Sequence, residues 1–232
     1  MKQPTPYYDD GGISLYCGDA RLILPALGLE MGDYAVITDP VWPNSIPGLA
    51  GNDDPKELFA DVLSLMPDAR RLVAHLGCDS DPRFLSAVPS WLPFLRSVNL
   101  EYVRPHYKGR MLYTHDVAYI FGAWPKSRAG FHVVPGRVIQ NDAEKRPAGH
   151  PCPRQLQHVR WLVARLAEPH ELVVDPFVGS GPTLVAAKAL GRRAVGIDIS
   201  PEFCELTVDR LAQGVLGLSI EHPPFAHELY DD

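Results

Sequence analysis

The chain has 232 residues, 46% of them hydrophobic, with 22 Lys+Arg against 28 Asp+Glu and a formal charge of −6. That length and mixture suit one domain with a sizeable core and exclude a fibre, a disordered tail protein and a mini-scaffold. No apolar run nears the roughly 18 residues of a membrane helix, the start MKQPTPYYDDGG lacks a signal-peptide pattern, and Cys17, Cys78, Cys152 and Cys204 form no CxxC pair, so a cytoplasmic protein without disulfides or a cysteine-based metal site is expected.

Strand and helix signals alternate along the chain. Ile13–Cys17 is a short apolar run ending at Gly18-Asp19, and Ala20–Leu27 reads as a helix. Tyr34–Thr38 (YAVIT) is continuous and β-branched, as in a buried parallel strand, and stops at Asp39-Pro40. Residues 54–65 carry apolar side chains at helical spacing behind Pro55. A strand over 71–76, a helix around 82–88 and strands over 97–104 and 117–122 follow. The Pro- and Gly-rich stretch 123–153 reads as loops, and 154–166 returns to helix. The most regular unit comes last: strand 171–174, a glycine turn, helix 181–190, strand 194–199 and helix 201–211. Alternation of this kind predicts an α/β fold, a mostly parallel sheet with helices on both faces. Residues 1–122 and 150–216 read as a single domain, 123–149 as a short loop-rich insertion and 217–232 as a tail.

Charge is uneven. Between Tyr102 and Arg165 stand 11 basic and three acidic residues, a local net of +8, against −14 for the remainder. A basic strip is what phosphate neutralisation requires, and a solvated basic surface is the alternative.

The segment LVVDPFVGSGPTLVAAKALGRRAVGIDIS joins a strand, a glycine turn, a helix and a second strand ending in an acid. Gly179 and Gly181 can adopt backbone angles closed to other residues, and Pro182 suits a first helical turn. Asp198, at the end of the next strand, stands where a carboxylate accepts ribose hydroxyls. Leu184 replaces the third glycine of GxGxxG, so an adenosine-type ligand without a pyrophosphate fits better than a dinucleotide.

This segment resembles the S-adenosylmethionine site of the amino-methylating DNA methyltransferases, in the permuted beta class where the target-base motif precedes the cofactor motif. The family pattern D-P-F-x-G-S-G-T-T is met at Asp175, Pro176, Phe177, Gly179, Ser180, Gly181 and Thr183, with Pro182 the departure. GHPCPRQLQHVRWLV resembles the family's HPTQKP-type segment, in which His150 would help shape the methionine end of the pocket. LYCGDA resembles the family's opening strand, in which Asp19 would meet the cofactor unless it only caps a helix. The resemblance implies a three-layer Rossmann-like methyltransferase fold, S-adenosyl-L-methionine as cofactor and double-stranded DNA as partner, with no metal and no membrane.

The family's D-P-P-Y/W-type tetrapeptide corresponds to Asp39-Pro40-Val41-Trp42. An exocyclic amine on adenine or cytosine is a poor nucleophile, because its lone pair is conjugated with the ring. The Asp39 carboxylate and the Pro40 carbonyl would each accept one amine hydrogen and turn the lone pair toward the sulfonium methyl. Trp42 would stack on the flipped base. N6 of adenine is favoured over N4 of cytosine, because Ser-Pro is commoner in the N4 relatives. Val41 removes a proline's rigidity, which leaves open a catalytically weakened DNA-binding or cofactor-sensing protein of the same fold. Transfer to an RNA or protein amine is the third reading. Cys152 after Pro151 resembles a ring-carbon methylating nucleophile only superficially, since it precedes the cofactor strand.

Arg104, Lys108 and Arg110, interleaved with His106 and Tyr107, and Lys126 and Arg128 beside Trp124 suit backbone phosphate contact. Arg137, Lys145 and Arg146 extend the set. So short an insertion implies modest sequence reading, a short site, or reading shared with a partner chain, as in a homodimer. A bacterial or phage setting, in DNA methylation, restriction-modification or its evasion, is the expected context.

Overall fold

The computed structural model describes residues 3–29, 34–43, 50–127, 133–140 and 154–213. Among these, strands β1 (Tyr8–Asp9), β2 (Ile13–Cys17), β3 (Tyr34–Thr38), β4 (Arg71–Gly77), β5 (Phe94–Lys108), β6 (Met111–Gly122), β7 (Arg137–Ile139), β8 (Leu172–Asp175) and β9 (Ala194–Asp198) form one sheet in the order β1-β2-β9-β8-β3-β4-β6-β5-β7. The five strands from β2 to β4 in that order run parallel, so their carboxyl ends meet along one edge. Helices α1 (Ala20–Leu27), α2 (Pro55–Ser64), α3 (Leu156–Leu166), α4 (Pro182–Ala189) and α5 (Pro201–Gln213) cover the sheet. No helix among the described residues is long and apolar enough to cross a membrane.

Period-two alternation along β3 sets the layers. Ala35 and Ile37 join a core with Leu162 and Leu166 of α3 and Leu184 and Ala187 of α4, whereas Tyr34 and Val36 join Leu24 of α1 and Phe59 and Val62 of α2. A strand buried on both faces needs apolar residues throughout, which is why YAVIT has no polar residue until Thr38.

At the amino end of β4 the fully buried Arg71 ties three segments together. Its Nη1 donates to Glu171 Oε2 (3.1 Å) and to Leu166 O (2.5 Å), and its Nε donates to Ala123 O (2.6 Å). Burial pulls this guanidinium below its ordinary pKa, with Glu171 opposing.

The structure departs from the sequence reading in four places, the first being β1, a two-residue strand ahead of the first one expected, which pairs antiparallel with β2. The strands expected over 97–104 and 117–122 are the inner parts of one long hairpin, β5 and β6, turned at Gly109 in the left-handed region (φ 62°). A register shift between Glu101 and His106 accommodates Pro105, whose missing N–H would break a regular ladder. Within the stretch read as loops, Arg137–Ile139 adds the edge strand β7, too short to leave a periodic signal. The helix expected around 82–88 is a 3-10 helix at Pro82–Ala87.

Candidate active site

A cavity of about 460 Å³ opens at the carboxyl edge of the parallel strands, lined by Asp39, Trp42 and Arg154 on one side and by Asp175, Gly179 and Asp198 on the other. The two motifs that sequence reading singled out, 140 positions apart, therefore share one pocket.

On the glycine-turn side, β8 ends at Asp175 and the chain swings through 176–181 into α4. Gly179 (φ 52°) and Gly181 (φ 78°) both adopt left-handed conformations, and a Cβ on Gly181 would lie 2.5 Å from Thr207 Cγ2 on α5. Helix α5 holds the turn. Thr207 Oγ1 donates to Gly179 O (2.9 Å), and Arg210 Nη1 donates to Ser180 O (2.6 Å) and Ser180 Oγ (3.0 Å). Asp198 accepts from Gly179 N (2.8 Å) and Ser200 N (2.9 Å), and burial raises its carboxyl despite those bonds. Leu184 takes the third-glycine position because Gly196 on β9 makes room for it, an added Cβ there lying 2.8 Å from Leu184 Cδ1.

Asp175 joins the halves. It is buried and accepts from Thr38 Oγ1 (2.7 Å), from Phe177 N (3.1 Å) and from the Thr183 hydroxyl. Burial outweighs these bonds and pushes its carboxyl up to about 6. Pro176, Phe177 and Thr183 line the same cavity. Ser180 also borders it, with its side chain buried against Arg210. Asp19 borders it too, but its carboxylate caps α1 by accepting from Arg21 N (2.9 Å) and pairs with Arg21 Nη2 (2.7 Å).

On the tetrapeptide side, Asp39 leaves β3 into Pro40, Val41 and Trp42. Arg154, just before α3, grips the Asp39 carboxylate with two hydrogen bonds, Nε to Oδ2 (2.7 Å) and Nη2 to Oδ1 (2.8 Å). Its Nη1 lies 2.9 Å from Asp116 Oδ2, and its guanidinium carbon stands 5.5 Å from the centroid of the Trp42 ring. Trp42 packs against bare backbone at Gly77, where a Cβ would come within 2.7 Å of its Cη2. Asp116 also meets His75 Nε2 (3.2 Å) and the Tyr102 hydroxyl. Burial alone would raise the Asp116 carboxyl, but Arg154, His75 and Tyr102 outweigh it and hold the group well below the usual carboxylate range. Burial, then Asp116, pushes the Tyr102 hydroxyl up. Further out, His106 stacks on Tyr113 (5.2 Å between centroids), whose hydroxyl donates to Asp79 Oδ2 (2.7 Å).

Sequence reading had not singled out this polar network. Asp116 is the one acid between Tyr102 and Gln140, a signal available without coordinates. Arg154 lies within the HPTQKP-like segment, but nothing local indicates a partner 115 positions away.

Arg104 and Arg110 are exposed on the outer part of the β5–β6 hairpin, beyond the carboxyl edge of the sheet and beside the pocket. Lys108 ends β5, and its side chain is outside what the structure describes. Arg137 is exposed on β7, 3.9 Å from Glu101 Oε1. Lys126 lies at the opposite edge, past the end of β6, where its backbone N–H donates to Glu168 Oε1 (3.1 Å). The structure thus separates it from the cavity. His150, Arg128, Lys145, Arg146 and Cys152 lie outside the described residues.

Comparison with known proteins adds four findings. The family model N6_N4_Mtase, DNA methylase, matches residues 91–209, just over half of the chain. Type II methyltransferase M2.LlaDCHI of Lactococcus lactis subsp. cremoris is 35% identical over 76 residues, 33% of this chain but only 28% of that relative's own length. Among solved structures, PvuII DNA methyltransferase (cytosine-N4-specific) superposes with a TM-score of 0.69 at 16% identity over 89% of both chains. The M1.HpyAVI–SAM complex superposes with a TM-score of 0.64 at 21% identity over 86% of this chain and 98% of that one. These likenesses establish the fold.

Proposed function

The chain belongs to the N6/N4 DNA methylase family, and from that premise we propose that it moves a methyl group from S-adenosylmethionine to the exocyclic amine of a base flipped out of duplex DNA. The observation that carries the proposal is the shared cavity: the Asp39 tetrapeptide and the Gly179 turn face one space and are tied together by the Thr38–Asp175 hydrogen bond. The donor set fits the cofactor. Asp198, Ile199 and Phe203 offer a carboxylate and apolar faces for an adenosine, while the Asp175 and Asp19 carboxylates border the other end of the cavity, where the positive charges of the cofactor would lie. When bound, S-adenosylmethionine supplies a sulfonium methyl.

This chain's own residues then prepare the amine. Asp39 and the Pro40 carbonyl accept its two hydrogens, and the nitrogen lone pair is released from conjugation toward the methyl. The N–CH₃ bond forms as the S–CH₃ bond breaks, leaving S-adenosylhomocysteine, and the proton passes to water. Trp42 stacks on the base. Arg104, Arg110 and Arg137 are positioned to meet phosphates, within a middle of the chain that carries +8.

Asp39 where N4 relatives more often carry Ser supports adenine; the fold likeness to a cytosine-N4-specific enzyme supports cytosine. Radiolabel transfer from S-adenosylmethionine to duplex DNA, followed by nucleoside mass spectrometry, tests the reading, with N6-methyladenine expected. N4-methylcytosine as sole product corrects the base. Tight cofactor binding with no label on any DNA would sink the enzyme reading in favour of a weakened DNA-binding protein.

A further inference from the structure

Transfer to a planar amine needs a carboxylate and a backbone carbonyl held to within about half an ångström of their working positions. The loop that presents them carries Val41 where a second proline would fix φ, so its own backbone does not supply that constraint. Arg154 does so from outside. Its fork fixes the carboxylate at the start of the tetrapeptide, and its π-cloud contact fixes the indole at the end. The guanidinium is itself oriented by Asp116, which is held in turn by His75 and Tyr102. The Arg154 side chain is only 7% exposed, while the Asp39 side chain that it grips stays 30% exposed on the cavity.

We propose that Arg154 is a positioning residue that orients the Asp39–Trp42 loop, replacing by a noncovalent clamp the rigidity missing at Val41. The proposal rests on the methyl-transfer reading above and deepens it. An ionised carboxylate has about four lone-pair sites. Arg154 takes two, so an amine N–H can be accepted while the pair stays intact. Lysine cannot replace the clamp, because a point charge does not match two oxygens in one plane.

The experiment compares the parent, Arg154→Lys, Val41→Pro and the double variant. Single-turnover transfer should fall about 10- to 100-fold in Arg154→Lys, as expected for a misplacement near 1 Å, while the KM for S-adenosylmethionine stays within about threefold. Val41→Pro should raise the rate of Arg154→Lys severalfold, and by a larger factor than it changes the parent. A readout independent of activity is the fluorine NMR line of 5-fluoro-Trp42, assigned by its loss in Trp42→Phe. That line should broaden or split in Arg154→Lys and sharpen again in the double variant. Should Arg154→Lys not fold, Asp116→Asn removes one anchor of the guanidinium and should show the same pattern at smaller amplitude. A rate in Arg154→Lys equal to or above the parent's, absence of recovery by Val41→Pro, or an unchanged fluorine line would overturn the clamp. A parent that methylates no DNA overturns the transfer reading instead, and the fluorine experiment still decides on Arg154.

Discussion

Replacing Asp175 with Asn should stabilise the fold at neutral pH. The carboxyl is 2% exposed and is pushed to about 6 by burial, with neighbouring Asp39 adding to the rise and the bonds from Thr183, Thr38 and Phe177 opposing it. From its ordinary 3.8, at about 1.4 kcal/mol per pH unit, the difference amounts to about 3 kcal/mol. Because the folded pKa lies above the unfolded one, the penalty is absent below pH 3.8, where both states hold the proton. It grows as pH rises toward 6 and is complete above it. Asn is close to isosteric: its Oδ1 can accept from Thr38 Oγ1 and Phe177 N as now, and its amide can donate to the Thr183 hydroxyl, which rotates to accept. Urea unfolding across pH 4.5 to 8 should therefore show Asp175→Asn gaining about 1 kcal/mol at the acid end and up to about 3 kcal/mol at pH 7.5, the latter roughly 6–12 °C in Tm for a chain of this size. The cofactor-free protein is the one to measure, since a bound cation would offset the penalty. A gain independent of pH, or a loss at pH 7.5, would refute the assignment of a strained buried charge. The same variant should bind S-adenosylmethionine more weakly, because the unfavourable charge lies where a cationic ligand would be held.

Further predictions concern the two motifs and the basic surface. Asp39→Ala should lower transfer by about 10³-fold or more while calorimetry shows cofactor affinity nearly intact. Asp198→Ala should weaken cofactor binding about 10-fold or more, since it also releases the amides of Gly179 and Ser200. Arg104→Ala and Arg110→Ala should each weaken DNA binding and reduce the salt slope by about 1, whereas Lys126→Ala, at the far edge, should change neither. Gly77→Ala should displace the Trp42 ring, given the 2.7 Å approach of its added Cβ, and raise the KM for DNA with little effect on cofactor affinity.

The parallel core was legible because burial on both faces leaves a one-dimensional trace: β3 and β8 stay free of charge until their carboxyl ends, where Asp39 follows Thr38 and Asp175 closes its strand. The glycine turn was legible for a similar reason, since left-handed angles at Gly179 and Gly181 restrict residue choice locally. The outer hairpin was not. Its strands face solvent beyond the sheet, so alternation fades, and Pro105 and Gly109 read as breakers although one sits at a register shift and the other at the turn. Three-residue β7 owes its pairing to a neighbour and carries no period of its own.

The tetrapeptide shows where local reading stops being sufficient. Proline constrains a loop through a covalent ring, and its replacement is visible as one letter; a guanidinium clamp constrains the same loop through space, with its two members 115 positions apart. Val41 by itself therefore suggests a loosened site. Set beside Arg154, Asp116 and the bare backbone at Gly77, it marks a loop held at its carboxylate and at its indole by parts of the chain far from it in sequence. Net charge behaves the same way. The whole-chain −6 disfavours nucleic acid, yet Arg154 is one of the 11 basic residues of the +8 middle and is turned inward to Asp39 and Asp116. Of the described residues in that middle, Arg154 is thus turned away from phosphate whereas Arg104, Arg110 and Arg137 are exposed, and DNA binding through such contacts should be steeply salt-dependent.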